Sequence, residues 1–171
     1  MSESPQQNGA DYGTARTDPR NNGKGRLITE SSVVQSRPLS GRVALRVPAD
    51  AEQLGMLRAL TETVMLTADF TIDVVIDVRV ALDEVATTLI AGAVPDASID
   101  CEFLFDEQRV RVRVAAVTHS DGGVLEHSFG WQVVEMLTES IAVRSDDFDP
   151  ARNGYRVVVE FTRTRGDSDE G

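Results

Sequence analysis

Hydrophobic alternation begins at Arg42. Val43, Leu45 and Val47 alternate with Arg42, Ala44 and Arg46, the period of a strand with one buried face, and Pro48 ends it. Asp50 then offers an N-cap for a helix running to about Leu66, along which Leu54, Leu57, Leu60, Thr61 and Val64 recur at helical spacing. A second helix is expected from near Thr71 to a point before Pro95. Its apolar positions (Val75, Val78, Leu82, Val85, Ala86, Leu89 and Ala93) fall on one side. Asp73, Asp77, Glu84 and Thr88 fall within about one sixth of a turn on the other.

Two strands follow, Ile99–Phe105 and Arg109–Val117, and the short link Asp106-Glu107-Gln108 predicts a hairpin. Arg109, Arg111 and Arg113 alternate with Val110, Val112 and Val114, so one face is buried and the other solvated. After a polar loop, Trp131, Val134 and Leu137 mark a third helix over about Ser128 to Thr138. Ile141–Val143 and Tyr155–Phe161 read as the last strands. The order β-α-α-β-β-α-β-β predicts an α+β fold: a two-layer sandwich in which about three helices cover one face of a mainly antiparallel, mixed sheet.

Residues 1–40 are rich in Ser, Asn, Gly, Gln, Pro and Arg without hydrophobic periodicity, and Val33-Val34 is too short to form a core element, so a disordered extension is expected. The domain is expected over 41–165, with an acidic tail at 166–171. The chain carries a net charge of −11, which argues against direct nucleic-acid binding. Because residues 1–40 hold five basic and four acidic side chains, the acidity belongs to the rest of the chain; a strongly acidic domain can steer towards a basic partner, though acidity alone is also a solubility device. No stretch approaches the ~20 apolar residues of a membrane span, and the N-terminus lacks the features of a secretory signal. The single cysteine, Cys101, agrees with a reducing cytoplasm and is expected to pack inertly in its strand.

Glu84 and Thr88, four residues apart, share one helix face. An acid one turn from a small hydroxyl suits a helix that helps hold a metal–phosphate group, although a solvated edge would carry the same residues. His119 and His127 lie in polar loops without the spacing of zinc ligands, and Asp146, Asp147 and Asp149 lack the twelve-residue pattern of a calcium loop. Asp121-Gly122-Gly123 is on its own an ordinary turn.

The segments Arg79–Ile90, Ala91–Ala97 and Ser128–Leu137, in this order of elements, resemble the bacterial anti-sigma factor/serine-kinase family built on the Bergerat, or histidine-kinase-like, ATP-binding fold. They are most similar to the actinobacterial anti-sigma-F type. The resemblance covers about residues 42–164. It implies that Glu84 is the catalytic acid, orienting or deprotonating the group that attacks in phosphoryl transfer. It places Thr88 where the family has a magnesium-holding Asn, Asp121, Gly122 and Gly123 at the box whose acid reads adenine, and Gly130 at a phosphate cradle whose other glycine is here Ser128.

It further implies ATP and Mg²⁺ as cofactors at a site whose boxes have all drifted. The function implied is an anti-sigma factor that sequesters an alternative, stress- or sporulation-type sigma factor. An anti-anti-sigma antagonist would release it, and a homodimer would form through about 42–66. The alternative is an active serine kinase that phosphorylates the antagonist.

Overall fold

The computed structural model describes residues 40–123 and 127–165. The expected disorder of the N-terminal extension and the acidic tail concern segments outside the described residues. The elements are β1 (Gly41–Pro48), a 3-10 turn (Ala51–Gln53), α1 (Leu54–Thr67), α2 (Ile72–Ala91), β2 (Ser98–Phe105), β3 (Arg109–Thr118), α3 (Phe129–Leu137), β4 (Ser140–Ser145) and β5 (Tyr155–Thr164). Asp50 caps the 3-10 turn rather than α1 itself, its carboxylate accepting from Glu52 N at 2.9 Å. Thr71 is the N-cap residue of α2, and Ser128 that of α3.

The strands form one sheet in the order β1-β2-β3-β5-β4. Every pairing among these strands is antiparallel, so the parallel component expected of a mixed sheet is not found among the described residues. The physical reason is the connection between β3 and β5: it runs out through α3 and β4, so β5 re-enters beside β3 in the opposite sense. The β2–β3 hairpin closes as expected. Asp106 fixes its turn by accepting from both Gln108 N and Arg109 N.

Alternation puts Ile99, Cys101, Phe103, Val110, Val112, Val114, Val157, Val159 and Phe161 on the inner face, where they meet the helices in a common core. The apolar side of α2 is the largest helical share of that core, and it is wider than the predicted stripe because Val74 and Ala81 are buried too. Ala93 lies beyond the end of α2, contrary to its expected place in the helix, and makes an isolated bridge to Thr118. Two ion pairs, Arg58–Asp83 at 2.7 Å and Arg79–Glu62 at 2.5 Å, bridge α1 and the antiparallel α2.

Candidate functional site

Past the exposed Asp73, the polar edge of α2 is partly covered by other elements. Asp77 reaches β5, where Arg163 donates to it at 3.1 Å and to Glu139 at 2.7 Å. About two and three turns further on, Glu84 and Thr88 meet the start of α3. Ser128 caps that helix, its hydroxyl accepting from Trp131 N at 3.1 Å, and the buried Trp131 ring anchors the first turn in the core. Trp131 therefore serves packing, with its Nε1 donating to Glu135 at 2.9 Å.

Gly130 follows the cap by two residues and packs directly on Glu84: a Cβ at this position would stand 2.5 Å from Glu84 Oε2. The carboxylate thus lies against the first turn of α3, where the helix dipole favours a negative group. Thr88 turns its hydroxyl back along α2, donating to Glu84 O at 2.9 Å. Its oxygen keeps lone pairs, so an acceptor function toward a cation survives this bond.

The second box is placed less directly. Gly92 O accepts from His119 N at 2.9 Å, tying the end of α2 to the exit of β3. Thr118 is buried and donates to Ser120 O at 2.6 Å. Gly122 is buried with φ +82, a left-handed conformation that suits glycine, and a Cβ there would meet Val157 Cγ1 at 2.9 Å. Asp121 is exposed and accepts from Gly123 N at 3.2 Å, a local turn bond.

Glu84, Thr88, Ser128 and Gly130 are therefore brought together, with Gly122 on an adjoining wall, whereas Asp121 and Gly123 do not line the shared space. Thr118, Ser120, Leu89 and Gly92 do line it and were not foreseen. The available signal was a threonine continuing the inner-face alternation of β3 beyond its valines. Residues 124–126, between these two boxes, lie outside the described residues.

The donor set at the site, one carboxylate and one hydroxyl, is compatible with magnesium, which is commonly held by one or two carboxylates together with phosphates and waters. The space is another matter. About 10 Å³ lies between Glu84, Thr88, Ser128 and Gly130, and about 200 Å³ in the adjoining cavity beneath Thr118 and Gly122. Small-molecule sites span roughly 300–1,000 Å³. In this arrangement the described residues do not enclose a nucleotide.

Helices layered on one face of an antiparallel sheet, with an acid on the second helix meeting the glycine of the third, are consistent with the histidine-kinase-like class expected from the sequence. No family model matches the chain. It is, however, 32% identical over 126 residues to the anti-sigma-F factor RsbW of Mycobacterium tuberculosis, an alignment covering 74% of this chain and 75% of the relative, with the same figures for the protein of two strains. The chain belongs to the anti-sigma-F factor family. None of the described helices is long and apolar enough to cross a membrane.

Proposed function

We propose that this chain is an anti-sigma factor that binds and sequesters an alternative sigma factor of the sigma-F type, and that partner binding rather than nucleotide chemistry is its principal activity. The observation that carries this reading is the alignment with the anti-sigma-F factor RsbW across most of both chains.

Two features support it. On α3, Phe129 and Met136 are 79% and 76% exposed and stand seven residues apart, hence on one helix face, an arrangement suited to anchor a partner. The net charge of −11 favours a basic surface such as a sigma factor presents to DNA, mainly through encounter rate and selectivity. Release by an anti-anti-sigma antagonist belongs to the same proposal. So does a homodimer through β1 and α1, and the edge position of β1 supports it.

The test is co-expression of the full chain with candidate sigma factors, followed by sizing with and without Mg-ATP. A stable complex with one sigma factor is expected, weakened about tenfold or more by Phe129→Ala with Met136→Ala. Failure to retain any sigma factor would overturn the reading.

A second reading, a serine kinase acting on the antagonist in a cytoplasmic partner switch, is favoured by one observation: Glu84, Thr88 and Gly130 still converge. Glu84 would then act as the acid–base group, and α3 would have to move off α2 to admit ATP. Heat on titration with Mg-ATP, and phosphate transfer lost in Glu84→Ala, would support it. Absence of both leaves binding without kinase chemistry.

A further inference from the structure

The sheet face turned away from the helices has the opposite charge to the rest of the domain. β1 presents Arg42 and Arg46 there, β3 Arg109, Arg111 and Arg113, β4 Arg144 and β5 Arg156, against the carboxylates of Asp100, Glu102 and Glu160. Seven arginines thus face three acids, while the remaining described residues hold five arginines and 17 acids. A face this cationic, on a chain this acidic, is not a solubility device. Seven like charges on neighbouring strands repel one another, and the interleaved acids offset only part of that.

Part of the face is internally paired. Arg42 bonds Glu102, and Arg46 bonds Asp100 through Nε and, at 2.9 Å, through a terminal nitrogen. The paired guanidinium holds the Asp100 carboxyl below its ordinary pKa despite partial burial. Arg156 approaches the same carboxylate at 3.8 Å. Among the described residues, Arg109, Arg113 and Arg144 have no carboxylate within ion-pair distance, and all three are exposed.

Beneath the guanidinium groups the floor is small and apolar. Two adjoining grooves of about 400 and 370 Å³ share Arg46, Asp100, Ala115 and Arg156, and Ala44 and Arg113 extend the first. Alanine at 44 and 115 leaves room between the long side chains, so a carboxylate could reach the fork of a guanidinium in the bidentate geometry that arginine favours.

We propose that this open face is a docking surface for an acidic protein segment, one carrying several Asp or Glu side chains. Charge complementarity selects the occupant. Nucleic acid is disfavoured because the strands offer no aromatic side chain on this face for a base to stack on. At physiological salt the Debye length of ≈ 8 Å screens the acidic helical side, across the sheet, more than it screens direct contacts on the face. The proposal is independent of sigma binding, since this face lies across the sheet from α3.

The test uses the full chain at physiological salt. A fluorescent deca-glutamate peptide is titrated by anisotropy, with deca-thymidylate in parallel, and amide exchange is followed with and without peptide. The peptide is expected to bind, with protection on β1, β2 and β3. Arg113→Glu with Arg144→Glu is expected to weaken it about tenfold or more, and Arg113→Gln with Arg144→Gln less so. The circular dichroism spectrum should be unchanged in both variants.

Undiminished binding by the charge-reversed variant, no binding of the peptide, or preferential binding of deca-thymidylate would each overturn the proposal. So would sedimentation showing that the reversal abolishes self-association while peptide binding is intact, because the face would then be an interface between copies.

Discussion

Glu84 and Gly130 are fitted to each other: the carboxylate of one occupies the place a side chain on the other would need. This explains a glycine in the first turn of α3, where alanine would be favoured by propensity.

The fit predicts strong non-additivity. Gly130→Ala alone should be near neutral, because the helix-propensity gain of ~1 kcal/mol is offset by displacing the carboxylate. In a Glu84→Ala background the same change should stabilise by ~1 kcal/mol, a coupling that urea unfolding of the four proteins in the cycle would measure. Additive effects would mean that Glu84 and Gly130 do not compete for this space.

Two other glycines should respond in opposite directions. A Cβ at Gly154 would stand 2.7 Å from Thr118 O and 2.9 Å from Val117 and Val94 side-chain carbons, so Gly154→Ala should cost about 1–3 kcal/mol. At Gly55 nothing lies within 4 Å, and Gly55→Ala in α1 should stabilise by about 0.5–1 kcal/mol. Thermal unfolding of both variants checks the contrast.

The Arg163 network predicts a specific acid sensitivity. Burial pushes the Glu139 carboxyl up, but hydrogen bonds from the Thr164 hydroxyl, Arg163 and Thr164 N outweigh it and leave the pKa below its ordinary value. A depressed carboxylate pKa contributes stability that is present above the unfolded-state pKa and lost as pH falls through the folded one. Unfolding free energy followed downward from neutral pH should therefore decline once the ordinary carboxylate range is crossed, and Glu139→Gln should flatten that decline. Arg163→Met should cost about 1–3 kcal/mol at neutral pH, because it strands the partly buried Asp77 and Glu139 together.

Cys101 should be silent in the folded protein. It is 1% exposed, and burial pushes its thiol up to about 12. A thiol reagent such as DTNB should label it at neutral pH only through opening of the sheet, so the labelling rate should rise with urea in step with unfolding. Rapid labelling without denaturant would count against inert packing of Cys101.

Much of the architecture was legible because one-sided burial writes a period into the chain. Arg109 to Val114 alternates without a fault, and the α2 stripe from Val75 to Leu89 is buried as its spacing requires. What was hidden depends on partners far along the sequence. No local pattern marks Arg163 as the ion partner of Asp77, since both sit on edges that look solvated until α2 is laid against β5. Nor does alternation state strand direction, which is why the mixed sheet was expected and a wholly antiparallel one is seen. At the candidate site, the helical phase correctly placed Glu84 and Thr88 on one face. The identity of what they face, the first turn of α3, came only from the fold.

The ladder between β3 and β5 ends at the pair Thr118 and Tyr155, so everything from 119 to 154, α3 and β4 included, leaves and returns through one closed gate. To the rest of the sheet that excursion is a tether whose two ends are already held together. Within it, the link between β4 and β5 is inexpensive to lengthen: each doubling of a flexible loop costs only about 0.6 kcal/mol in closure entropy. α3 and β4, by contrast, are held by the buried Trp131 and Val134 and by the ladder to β5, so the scaffold fixes them while leaving the length of that link open to change.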